Sequence, residues 1–270
     1  MSPTPRTTRD PRSRPPVLLV VLAGVGIALF AVPLIGLVGR VPWARLPQLL
    51  ATEIVVDALR LSLIASVSAT VIALLLGIPL AYVLARLEFP GRALIRGIVT
   101  LPLVLPPVVA GAALLFALGR RGLVGEAVYE VTGLLLPFST WGVIIATTFV
   151  AMPFMVITVE GGLRGLDQRY EGAAATLGAG RWTVLRKVTL PMIAPSILSG
   201  LVLTWARAFG EFGATITFAG NLQAETQTLP LAVFVTLESD RDAAVAISLL
   251  MVVVSLVVLV ALRDRWWRSG

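Results

Sequence analysis

Six stretches of this chain contain no Asp, Glu, Lys or Arg: Val17–Gly39, Leu61–Ala85, Gly97–Gly119, Val131–Val159, Val188–Ala206 and Ala243–Leu262. Each is near or above the roughly 20 apolar residues that carry a helix across a bilayer. Lipid offers no partners to backbone N–H and C=O groups, so such runs must satisfy themselves as helices or as a closed barrel. The runs are continuous rather than alternating, which argues against the barrel. The expected fold is therefore an all-α membrane protein of about six transmembrane helices, the fifth continuing past Arg207 to about Ala219. A mean hydropathy of +0.92 agrees with this class.

Basic residues give the orientation. Arg6, Arg9, Arg12 and Arg14 precede the first run, and Arg86, Arg92 and Arg96 follow the second. Arg164, Arg169, Arg181, Arg186 and Lys187 follow the fourth, and Arg263, Arg265 and Arg268 follow the sixth. The opposite side has Arg40, Arg45, Arg60, Arg120, Arg121 and Arg241, and Arg207 lies within a run. Cytoplasmic loops carry the excess of Lys and Arg, so both termini and the loop around 171–191 are expected in the cytoplasm of a multi-pass cell (inner or plasma) membrane protein. The net charge of +7 is then a topology signal and does not point to nucleic acid.

One membrane domain, 17–270, with a cytoplasmic loop at about 161–195, is expected behind a disordered basic cytoplasmic tail, 1–16. The first run lacks a small-residue cleavage site and reads as a retained span rather than a signal peptide. The far-side loops, about 40–56, 120–140 and 220–241, have room for small interfacial helices. Trp43 and Trp141 suit one membrane interface, and Trp182, Trp266 and Trp267 the other.

Several chemistries are excluded. The chain has no cysteine and no histidine, which removes disulfides, thiolate sites, the commonest metal ligand and the familiar nucleophile–base triads; no metal site is expected. Its one lysine, Lys187, precedes Val188, so the Gly-x4-Gly-Lys-Ser/Thr phosphate loop is absent. The chain does not read as an enzyme, and no cofactor of its own is expected.

Three features remain. Small residues recur every fourth position at Ala69, Ala73, Gly77, Ala81 and Ala85, and again at Ala206, Gly210 and Ala214, a spacing that lets helices approach closely in lipid. Pro102, Pro106 and Pro107 break the third run, either by kinking a helix inside the membrane or by starting one late, with proline in its first turn. Arg207 and Glu211 stand four apart, on one helical face, flanked by Gly210 and Gly213, with Thr215 a turn further. Charges at that depth are costly unless paired or facing water. The pair is either part of a translocation pathway, with Gly210, Gly213 and Thr215, or a self-neutralising helix contact.

Residues 171–191 give the most specific signal. Ala173, Ala174, Gly178, Val188, Leu190 and Pro191 fall in register with a pattern of Glu-Ala-Ala, three residues, Gly, nine residues, Ile, one residue, Leu-Pro. Gly172 occupies the Glu slot, and the acid stands one residue earlier, at Glu171. The stretch resembles the coupling loop of ATP-binding-cassette (ABC) importer permeases. Leu101–Gly111, Ala206–Gly220 and Gly220–Ala232, the last with Asn221, Thr226 and Thr228, resemble the molybdate-type members; sulfate and thiosulfate permeases are close relatives. The resemblance implies a type I ABC importer bundle, used as a homodimer to carry molybdate or tungstate. It implies as partners a separate ABC ATPase holding ATP and Mg, docked on this loop, and an extracytoplasmic oxyanion-binding protein. A sulfate or thiosulfate importer and a stand-alone secondary transporter are the competing readings; the chain shows no internal repeat of the kind secondary transporters use.

Overall fold

The computed structural model describes residues 16–266, with side chains described through residue 261. The basic tail and the side chains of Arg263, Arg265, Trp266, Trp267 and Arg268 lie outside the described residues. Among the described residues the secondary structure is helical, without a strand. In chain order the helices are α1 (Val17–Gly39), α2 (Leu46–Leu50), α3 (Glu53–Arg86), α4 (Arg92–Thr100), α5 (Pro107–Leu118), α6 (Gly125–Thr132), α7 (Thr140–Gly165), α8 (Arg169–Thr176), α9 (Arg181–Val184), α10 (Leu190–Met192), α11 (Ala194–Phe209), α12 (Gly213–Phe218), α13 (Leu229–Ser239) and α14 (Arg241–Trp266). A 3₁₀ turn, Leu101–Leu103, follows α4, and a π segment, Leu185–Thr189, joins α9 to α10.

Helices α1, α3, α7 and α14 are each long and apolar enough to cross a bilayer. Two further apolar stretches are bent: Arg92–Leu103 meets Pro107–Leu118 at 117°, and Arg181–Met192 meets Ala194–Phe209 at 68°. Counting each bent pair as one crossing gives the six read from the sequence. The first bend follows from chemistry. Pro102 lies in the 3₁₀ turn, and α5 restarts with Pro107 in its first turn, where a missing N–H costs nothing. The loops facing away from 171–191 carry the short helices α2, α6 and α13.

The core is built around α3 and α7, with α11 packed on both. Ala69, Ala73, Gly77 and Ala81 of α3 are buried, so the first small-residue stripe is a packing seam. Met155 of α7 fills the notch: a Cβ at Gly77 would lie 3.1 Å from its Cγ, and one at Gly200 of α11 would lie 2.9 Å from its sulfur. An unbranched, adaptable side chain thus occupies the space opened by glycines on two neighbouring helices. A second close contact joins α5 to α12. A Cβ at Gly111 would lie 2.6 Å from Thr217 Cβ and 2.7 Å from the Ala214 carbonyl oxygen. Helix α1 buries none of its residues against the rest of the chain.

The first charge-free run coincides with α1, but the later runs and helices differ in their bounds. Helix α3 begins at Glu53, well before the run at Leu61, with Glu53 in its first turn, where a carboxylate favours the helix N-terminus. The fourth run does not start a helix at Val131. Gly133, at φ +70°, ends α6 there, and α7 begins at Thr140, its Gly142 N–H donating to the Ser139 hydroxyl at 3.2 Å. Helix α7 then continues past Val159 and takes Glu160 and Arg164 with it.

The fifth run also departs from expectation. It does not form one helix to Ala219: α11 stops at Phe209, and α12 begins at Gly213. Phe212 sits at φ −128°, ψ −57°, outside helical geometry. Ala206 and Gly210 are exposed while Ala214 is buried, so the second small-residue stripe forms no continuous seam within the chain.

Candidate functional site

The 171–191 loop is ordered by local hydrogen bonds. The Arg169 N–H donates to Asp167 Oδ1 at 2.9 Å and opens α8. At the other end, Gly178 N–H donates to the Ala175 carbonyl at 3.0 Å and Ala179 N–H to the Ala174 carbonyl at 3.1 Å. With Gly178 at φ +84°, this is a Schellman turn, and glycine is the residue that takes this backbone region freely. Helix α8 therefore runs Arg169–Thr176, starting two residues ahead of Glu171, and Gly178 closes it. Beyond it, Arg181–Val184 is a single α turn, α9, followed by the π segment.

The loop presents an apolar outer surface. Leu177 is 89% exposed, Trp182 72% and Tyr170 57%. Gly172, Ala173, Gly178 and Pro191 are exposed, whereas Ala174, Val188 and Leu190 are half-buried. Leu190 packs against the cluster formed by Ala73, Ala81, Leu84, Met155 and Leu163. Glu171 faces inward: its Oε1 accepts from Arg86 Nη2 at 3.1 Å and from the Thr189 hydroxyl at 2.7 Å. Thus the pattern residues divide between an outer face that offers contacts and an inner face that anchors the loop to the bundle.

A second polar cluster, which the sequence reading missed, lies beside it. Glu160 of α7 is buried and accepts from Arg96 Nη2 at 2.6 Å and Nε at 3.1 Å; Arg164 Nη2 is 2.7 Å from the same oxygen. Arg92 Nε and Arg96 Nη2 also donate to the Leu84 carbonyl of α3, at 2.9 and 3.2 Å. One carboxylate and one carbonyl therefore fasten α4 to α7 and to the end of α3. The available signal was Glu160 directly following the fourth run with Arg164 four residues on.

The Arg207–Glu211 pair forms, with Nη1 2.5 Å from Oε2, although Glu211 lies beyond the end of α11. Its other oxygen, Oε1, accepts from the Ala214 N–H at 2.7 Å, so the carboxylate also caps α12. Glu211 is almost fully buried; Arg207 is 29% exposed. Gly213 packs on α5, where a Cβ would come 2.6 Å from Pro107 Cβ, and Gly210 is open to the surroundings. Thr215 is fully buried, and its hydroxyl has no partner among the described residues. Nearby, the Thr226 hydroxyl accepts from the Leu222 N–H at 2.8 Å and pins the loop before α13. The structure thus brings Arg207, Gly210, Glu211 and Gly213 together at a helix break and sets Thr215 into the packed interior.

A broken-helix bundle with an apolar-faced, anchored loop is the setting for comparison with known proteins. The family model for the binding-protein-dependent transport system inner membrane component matches residues 73–266. The chain belongs to this family. The molybdenum transport system permease protein ModB of Mycobacterium tuberculosis is 48% identical over 242 residues, covering 89% of this chain and 90% of that protein. The sulfate transport system permease protein CysT of Escherichia coli is 35% identical over 234 residues, covering 86% and 83%. Among solved structures, a bacterial ABC transporter that imports the acidic polysaccharide alginate superposes with a TM-score of 0.76 at 20% identity, covering 93% of this chain and 95% of the matched one. That likeness establishes the fold. The matched stretch contains the whole 171–191 loop, both polar clusters and the α11–α12 break.

Proposed function

We propose that this chain is the permease subunit of an ATP-driven importer of molybdate, with tungstate, an ion of the same shape and charge, as a second substrate. The observation that carries the reading is the 48% identity to ModB across nine-tenths of both chains, against 35% to the sulfate protein. In this reading a separate ABC ATPase, holding ATP and Mg, docks on the outer face of the 171–191 loop. Leu177, Trp182 and Tyr170 supply its apolar contact. Two copies of the chain form the pore, and an extracytoplasmic binding protein delivers the oxyanion. Both ends of the chain lie in the cytoplasm.

The residues divide the work. Glu171, Gly172, Ala173, Ala174, Gly178, Val188, Leu190 and Pro191 shape and anchor the docking loop. Arg207, Gly210, Glu211, Gly213 and Thr215 form the region of the pathway. Here a partly exposed guanidinium offers positive potential to a passing dianion, while Glu211 holds it in place. Selection by charge alone is weak between ions of equal charge, so discrimination against sulfate belongs largely to the binding protein.

The test is uptake of isotope-labelled molybdate by proteoliposomes containing the chain, its cognate ATPase and its binding protein. Uptake is expected to require ATP and to persist under a large excess of sulfate. Complete competition by sulfate would transfer the assignment to a sulfate importer. Uptake by the chain without the ATPase would make it a stand-alone transporter.

A further inference from the structure

We propose that Arg86, Glu171 and Thr189 form a polar latch that transmits movement of the docking loop to the membrane helices, with Arg86 and Thr189 as positioning residues for transport. The inference rests on the reading of 171–191 as the ATPase-docking loop and adds the route by which force leaves that loop.

Three separate segments meet at one oxygen atom. Arg86 is the last residue of α3, Glu171 lies in the first turn of α8, and Thr189 ends the π segment. Glu171 Oε1 accepts from both neighbours, at 3.1 and 2.7 Å. At 34 residues, α3 is about 50 Å long, well beyond the hydrocarbon thickness, so its end reaches the loop while its middle packs in the core. The Thr189 backbone carbonyl in turn accepts from the Ile193 N–H at 3.1 Å, immediately before α11. A displacement of α8 therefore acts at once on α3 and on the segment entering α11.

Burial gives these bonds weight. Thr189 is 1% exposed, and the side chains of Arg86 and Glu171 are 11% and 21% exposed. A charge-assisted bond at such a site is screened far less than a surface ion pair. The acid's position is specific to this role. Successive residues on a helix point about 100° apart. Gly172, in the slot where the family pattern has Glu, is exposed, and a Cβ there would meet nothing within 4 Å. An acid at 172 would point outward; at 171 it meets Arg86 and Thr189.

The surroundings allow movement. A cavity of about 250 Å³, lined by Tyr82, Glu171, Ala175, Arg181, Leu185 and Thr189, lies beside the latch and gives α8 and α9 room to close on α3. Arg86 Nε is buried without a partner among the described residues, so the guanidinium has a donor not used in this state. The π segment, whose wider turn is often found at functional sites, lies within the Arg181–Met192 limb that meets α11 at 68°.

The experiment measures ions transported per ATP hydrolysed by the reconstituted complex, together with co-purification of the ATPase. Arg86→Gln and Glu171→Gln are expected to lower that ratio about tenfold, the weight of one charge-assisted bond, and Thr189→Val about threefold. The ATPase still co-purifies. The exchange Arg86→Glu with Glu171→Arg restores most of the ratio, whereas Gly172→Glu added to Glu171→Gln restores none. A native ratio in all three single variants overturns the latch, as does a parallel loss of assembly and turnover with the ratio intact. If the unaltered chain retains no ATPase, the docking reading falls and the latch with it. If the unaltered complex is coupled and the variants are too, the latch alone falls.

Discussion

Glu211 carries two bonds that different substitutions separate. Its Oε2 balances Arg207 at 2.5 Å and its Oε1 caps α12 through the Ala214 N–H at 2.7 Å. Glu211→Ala removes both. Loss of a helix cap costs about 1 kcal/mol. A hydrogen bond to a charged group contributes about 1.5–3 kcal/mol. Breaking a fully buried pair would cost about 3–5 kcal/mol, but Arg207 is 29% exposed and recovers part of its hydration. The net expectation for alanine is therefore about 3 kcal/mol. Glu211→Gln keeps an acceptor for Ala214 but turns its amide NH2 toward Arg207, so it loses the Arg207 bond together with the charge, at about 2 kcal/mol. For a chain of this size each kcal/mol moves Tm by about 2–4 °C, giving drops of roughly 6–12 °C for alanine and 4–8 °C for glutamine. The measurement is thermal unfolding of the purified complex in detergent. The exchange Arg207→Glu with Glu211→Arg keeps net charge but leaves Ala214 facing a side chain with no acceptor, so it is expected to behave like alanine. Equal drops for alanine and glutamine, or a native Tm for the exchange, would refute the two-bond account.

Three further outcomes are expected. Gly111→Val forces α5 away from α12, because its Cβ meets backbone as well as side chain, and should cost about 1–3 kcal/mol in the same thermal assay, while Gly97→Ala, in open space, should be harmless. Gly178→Val places a β-branched residue at φ +84° with no steric neighbour, so any loss of ATPase binding in pull-down reports the turn alone. Reporter fusions after Arg96 should read cytoplasmic and those near Glu225 external; the reverse would invert the topology.

Length and the absence of charge made the spans legible, because lipid forces the backbone to satisfy itself wherever charge is absent. They failed where a charge is neutralised inside a helix. Glu160 ends a charge-free run yet lies within α7, since Arg96 and Arg164 neutralise it, and Arg96 is 64 residues distant in sequence. The end of α11 was hidden for a related reason. Nothing in the run Ala206–Thr215 announces that Glu211 will bond the Ala214 N–H rather than sit on a helix face; only the flanking glycines hinted at it. The loop was more readable because a Schellman turn is a local device, set by Gly178 and its nearest neighbours. The inward aim of Glu171 was not readable, because both its partners come from other segments.

The bareness of Leu177 has a consequence for the cell. A leucine 89% exposed at a loop tip, with Trp182 close behind in sequence, is adhesive in water until another protein covers it. A chain made in excess of its docking partner would display that tip continuously to chaperones, to proteases and to other copies of itself. Balanced production of the two subunits would then matter for more than transport: orphan copies should be the short-lived ones.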